Sequence, residues 1–185
     1  MIPQLRTSTD IHWFSAALVF PGVSASLHGD SQRVTAVYEE LLALSREHGE
    51  NWRRSYALWG LGVEAWRQGQ PERAATLARE SLELQQEFKD HHCTGLCAET
   101  IAWVATSEGR YDDAARLFGA AETIRREAGA PLLTFRRYHD ECEQQTRQAL
   151  GDDHYRNCFA QGLGCQPRTS DRIPPRQTTT RRAHT

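Results

Sequence analysis

Five cysteines and eight histidines could hold a metal or do redox chemistry, but few of them stand at a useful spacing. Cys93 and Cys97 are four apart, with His91 and His92 just before them. On a helix that spacing puts two thiols on one face, which can begin a zinc site. A complete set needs further ligands. His139 and Cys142, three apart on a later stretch, reach the first pair only through folding. Cys97 also falls where Ala57 and Ala17 stand in earlier copies of an internal repeat, which favours a small buried core residue. No metal ligand and no cofactor is assigned. A metal- or redox-sensing module, or an enzyme, built on Cys93, Cys97 and His92 is the alternative reading.

Acid-base chemistry is no better supplied. Asp112 with Asp113, Glu39 with Glu40, and Asp152 with Asp153 are sequence neighbours. Neighbours on a helix point in different directions, whereas general acid-base work needs carboxylates that face each other in environments that separate their pKa values. Ser24, Ser55 and Ser81 lack a nucleophile-elbow pattern. No Gly-x-x-x-x-Gly-Lys-Ser/Thr loop is present to cradle phosphate. The chain is therefore read as a non-enzyme.

The elements that must carry any site are helices, and they recur. Gly29-Asp-Ser-Gln-Arg-Val34, Gly69-Gln-Pro-Glu-Arg-Ala74 and Gly109-Arg-Tyr-Asp-Asp-Ala114 align without gaps at a spacing of 40 residues. Ala25, Ala65 and Ala105 stand four residues before the glycines, and Val37, Leu77 and Leu117 eight after. Leu44, Leu84 and Ile124 follow at fifteen. Each unit reads as two helices joined by a tight turn at the glycine, which takes the left-handed conformation that ends a helix. Pro71 then suits the first turn of the next helix.

One hairpin cannot bury its apolar face alone; stacked neighbours supply the core. The expected fold is all-α, a tetratricopeptide-like α-solenoid of antiparallel helix hairpins with a 40-residue period. Residues 1–10 are expected to be irregular and 11–164 to form the helical-repeat domain. Its units run about 11–50, 51–90 and 91–130, followed by C-terminal helices over 132–162. Pro21 weakens the first unit, because an internal proline breaks or kinks a helix. Residues 165–185, rich in Arg, Pro and Thr, are expected to be disordered.

Arg116-Leu-Phe-Gly-Ala-Ala-Glu122 followed by Gly129-Ala-Pro131 resembles the C-terminal helical-repeat region of large actinobacterial LuxR-type transcriptional regulators and related signal-transduction ATPases. The resemblance runs from about Gly29 to Gly162. It implies a regulatory binding module whose nucleotide-binding module is expected only in a longer parent protein. A truncated or frame-shifted remnant of such a regulator is a further alternative. By the tetratricopeptide pattern, certain first-helix positions line a concave groove. Here they are Tyr56, Trp59, Val63, Trp66 and Arg67 in the second unit, and Leu96, Glu99, Trp103, Thr106 and Ser107 in the third. Tyr56, Trp59, Val63, Trp66, Arg67, Glu99 and Trp103 are the expected partner-binding set. Their competing reading is packing against neighbouring helices.

Charge and composition limit the partners. A formal net charge of -2 argues against a surface that is basic throughout, as nucleic-acid binding would favour. No helix-turn-helix is found, so direct DNA binding is not expected. The tail arginines Arg168, Arg172, Arg176, Arg181 and Arg182 read as solvated. No apolar run is long enough for a membrane span, and an odd cysteine count without a secretory signal reads as a cytoplasmic setting. The expected partner is a protein or peptide.

Overall fold

The computed structural model describes residues 22–26, 28–129 and 135–164. Residues 22–26 are helical. Then follow α1 (Ser31–Glu47), α2 (Asn51–Arg67), α3 (Pro71–Gln85), α4 (His91–Ser107), α5 (Tyr111–Ala128), α6 (Arg136–Leu150) and α7 (Asp152–Leu163). No strand occurs among the described residues. The fold is an all-α, tetratricopeptide-like helical repeat. Pro21, the expected irregular start and the expected disordered tail lie outside the described residues.

The periodicity has a backbone cause. Gly29, Gly69 and Gly109 adopt φ of 76°, 72° and 72°. In each turn the residue after the glycine donates its N–H back to the alanine four before it. Asp30 reaches Ala25 at 3.0 Å, Gln70 reaches Ala65 at 2.9 Å and Arg110 reaches Ala105 at 2.9 Å. Those bonds satisfy carbonyls that a helix end leaves open. A second series lies between the units: Gly49, Lys89 and Gly129 are also left-handed, at 67°, 52° and 61°. Thus the chain reverses every 20 residues from Gly29 to Gly129, and Lys89 takes a conformation that disfavours a side chain.

Packing follows from where the helices sit. α1 buries one stripe, Val34, Tyr38, Leu41 and Ser45. α2 and α4 instead lie between neighbours and are buried on all sides from Ser55 to Ala65 and from Cys97 to Thr106. Gly62 lets α2 approach α3: a methyl group there would stand 3.3 Å from the Ala74 carbonyl oxygen.

The last pair departs from the pattern. α6 keeps the 40-residue register, since His139 meets Glu99 and Thr146 meets Thr106, each one period earlier. Gly151 alone joins it to α7, however, at φ 74° and ψ 155°. α7 consequently leans on α5 more than on α6. The crossing is close: a methyl on Gly119 would overlap the Phe159 carbonyl, and one on Gly162 would overlap the Arg116 carbonyl.

Candidate functional site

The expected groove residues separate into an aromatic cluster and two charged residues that point elsewhere. Trp66 of α2 lies 5.2 Å from Trp103 of α4, ring centre to ring centre. Tyr56 meets Trp59 edge-on at 6.5 Å, and Val63 joins the same apolar cluster. Arg67 turns away and donates to Glu64 at 2.7 Å. Glu99 accepts from Trp103 Nε1 at 3.2 Å and contacts His139 Nδ1 on α6. Arg67 and Glu99 therefore do not pair across the face.

The aromatic face is covered by the chain itself. Phe135, at the start of α6, packs edge-on against Trp59 at 5.6 Å and against Trp103 at 6.3 Å. Tyr138 packs against Trp66 at 5.4 Å and Trp103 at 5.8 Å, and stacks on Phe135. Trp59 and Trp103 are left 3% and 1% exposed. Most indole and phenol donors find acceptors: Trp66 Nε1 donates to Ser107 Oγ at 2.8 Å, and Tyr56 Oη donates to Asp90 at 3.0 Å. Trp59 Nε1 is buried without any acceptor. A buried donor left unpaired is costly, and the same Trp59 ring is the one that Phe135 packs against.

The 40-residue period, carried one step further, would also have found a charged network that sequence reasoning missed. His139 repeats the position of Trp59 and Glu99, and Glu143 repeats that of Val63 and Trp103. His139 lies between Glu99 and Glu143, its Nε2 3.4 Å from Glu143 Oε2. Tyr155 of α7 donates to Glu143 at 2.8 Å, and Arg147 donates to it at 3.0 Å. Burial alone would lower the His139 imidazole, but hydrogen bonds and charge from Glu143 and Glu99 outweigh it and raise it to about 10. The His139 contact, helped by Tyr155 and Arg147, holds Glu143 down at about 2. A cavity of about 190 Å³ opens beside this network, walled also by Phe118, Glu122, Arg125 and Phe159. These contacts brace α4, α6 and α7 against one another.

The cysteine alternative does not assemble. Cys93 and Cys97 are both 0% exposed. Cys97 Sγ donates to Ser81 Oγ at 3.2 Å, and Ser81 Oγ donates to the Ser55 carbonyl at 2.8 Å. Complete burial pushes the Cys97 thiol well above its usual range. His91 and His92 remain exposed, and His91 faces Glu127 at 3.6 Å. Cys142, 5% exposed, is pushed up to about 12 by burial. Cys97 and Cys142, buried and raised in this way, have the character of structural thiols.

Residues 65–127 match the tetratricopeptide repeat family. That stretch is a tetratricopeptide-like region. It runs from the end of α2 through α3 and α4 to the end of α5, so it includes the turns at Gly69 and Gly109. Trp66, Arg67, Glu99 and Trp103 fall inside it, while Tyr56, Trp59 and Val63 precede it. No curated protein and no solved structure matches the chain. Tetratricopeptide repeats generally mediate protein–protein interaction, which is consistent with a non-catalytic binding module. Among the described residues, no helix is long and apolar enough to cross a membrane.

Proposed function

We propose that this chain is a non-catalytic, cytoplasmic protein-interaction module, the repeat portion of a bacterial LuxR-type transcriptional regulator. Its binding face is the aromatic surface of α2 and α4: Tyr56, Trp59, Val63, Trp66 and Trp103. The partner is a protein or peptide segment that brings aromatic side chains and a backbone carbonyl. The observation that carries this reading is the unpaired Nε1 of Trp59, a ring that Phe135 packs against edge-on. The face takes two aromatic rings three residues apart, and it holds a donor that the chain's own segment does not satisfy.

In this reading the start of α6 is an internal occupant that a partner displaces. Displacement lowers apparent affinity by the fraction of molecules that are open. It also supplies a mechanism: moving α6 disturbs the Glu99–His139–Glu143 brace and, through Tyr155, the seating of α7. The regulator context rests on the resemblance of Arg116–Glu122. It needs no nucleotide, metal or DNA contact from these residues.

The test is a titration of the intact chain with synthetic peptides carrying Phe-x-x-Tyr, read by tryptophan emission. Saturable change with these peptides, absent when both aromatics are alanine, is the expected result. Equal responses to both peptides, or none at any concentration, would remove the groove as a binding site.

A further inference from the structure

We infer a zinc-class metal site at the crossing of α5 and α7, formed by Asp112, His154 and Cys158. His154 and Cys158 are four apart on α7 and so share a face. Asp112, in the first turn of α5, meets them from the other helix: His154 Nε2 lies 2.9 Å from Asp112 Oδ1 and 3.8 Å from Cys158 Sγ. The three donor atoms all lie within 4.8 Å of one another. In a tetrahedral zinc site, bond lengths of about 2.0 Å to nitrogen or oxygen and about 2.3 Å to sulfur set a nitrogen–sulfur edge near ~3.6 Å and a nitrogen–oxygen edge near ~3.3 Å. The two separations to His154 Nε2 lie within about half an ångström of those values, and Asp112 and Cys158 approach within 4.8 Å.

The donor set selects the metal. A thiolate, an imidazole and a carboxylate suit zinc; an all-oxygen set would suit calcium or magnesium. Exposure is asymmetric: Cys158 is 2% exposed, whereas the side chains of Asp112 and His154 are 49% and 53% exposed. The fourth coordination position therefore faces solvent and takes water. On binding, the Cys158 thiol proton leaves to solvent, the His154 proton moves from Nε2 to Nδ1 by exchange with solvent, and the Asp112–His154 hydrogen bond is exchanged for two metal bonds.

The helices that carry the ligands are already held together. The close crossing at Gly119 and Gly162 fixes their separation, and Thr123 Oγ1 donates to the Leu163 carbonyl at 3.2 Å. A bound ion would fasten the solvent-facing end of α7 to α5, at the point where the terminal pair departs from regular stacking.

The experiment uses the full chain, stripped with chelator and titrated with Co²⁺ and then Zn²⁺. One equivalent of Co²⁺ should give a thiolate charge-transfer band and visible d–d bands, both bleached by Zn²⁺. The charge-transfer band should vanish in Cys158→Ser. Because Cys158 is buried and its variant can misfold, the surface variants His154→Ala and Asp112→Asn provide the independent reading. Each should keep wild-type helicity and weaken binding at least tenfold. No band with the wild-type chain, affinity unchanged in both surface variants, or a band kept in Cys158→Ser and lost in Cys93→Ser/Cys97→Ser would overturn the site.

Discussion

The Phe135 ring closes over the Trp59 indole at 5.6 Å, joining the start of the fourth unit's first helix to the first helix of the second. These residues are far apart in sequence, and the helices that carry them make no backbone approach of their own. Two aromatic side chains, with Tyr138 against Trp66, span the gap and cover the face of α2 and α4.

Phe135→Ala should therefore open the face and also destabilise the fold. Removing a buried phenyl ring costs about 3–5 kcal/mol. A chemical denaturation curve should shift to lower midpoint while tryptophan emission of the still-folded chain moves to the red. A destabilisation without any red shift would mean the face collapses instead of opening. Replacing Trp59 and Trp66 themselves is a poorer probe, because both rings pack in the apolar interior.

Lys89 is the exception in a series otherwise made of glycine. Its φ of 52° strains a residue with a Cβ. Its side chain is exposed, so little contact is lost by removing it. Lys89→Gly should raise unfolding free energy by about 1 kcal/mol, measured by urea denaturation, and Gly69→Ala should lower it by a similar amount.

The terminal pair depends on two residues without side chains. Gly162→Ala would drive a methyl into the Arg116 carbonyl. Overpacking of that kind costs about 1–3 kcal/mol. Hydrogen exchange should show α7 amides losing protection before those of α2 to α4. Uniform loss through all helices would mean that the stack unfolds as one unit.

Stability should vary with pH in two separate windows. His139 is raised from 6.5 to about 10, so its contribution is complete below pH 6.5 and declines as pH rises to about 10. Glu143 is lowered from 4.5 to about 2, so its contribution is complete above pH 4.5 and declines as pH falls to about 2. The groups facing them are Glu99 from α4, Tyr155 from α7 and Arg147 on α6 itself. These two groups together favour a maximum between about pH 4.5 and 6.5. Thermal midpoints across pH should show the alkaline decline flattened in His139→Gln.

Much of this fold is legible in the sequence because glycine and alanine mark where helices must end and where they must touch. Gly29, Gly69 and Gly109, each with its alanine four residues before, specify the hairpins directly. The between-unit turns were harder to see, since Lys89 breaks the Gly49 and Gly129 pair and nothing but backbone conformation reveals it. The aromatic positions from Tyr56 to Trp103 follow from the repeat pattern. Their cover does not, because whether Phe135 folds back over Trp59 depends on tertiary path. His139 and Glu143 were within reach, one period beyond Glu99 and Trp103. Asp112 and His154 were not, because the one-residue link at Gly151 displaces α7 from the regular register.

The most direct measurement supplies the internal occupant from outside. A synthetic peptide spanning residues 132–141 would be titrated calorimetrically into the Phe135→Ala/Tyr138→Ala chain and into the wild type. The interaction-face account predicts saturable, one-to-one binding to the double variant and binding at least tenfold weaker to the wild type, whose face is already filled. Absence of binding to the double variant while it keeps wild-type helicity, or equal affinity for both chains, would contradict it.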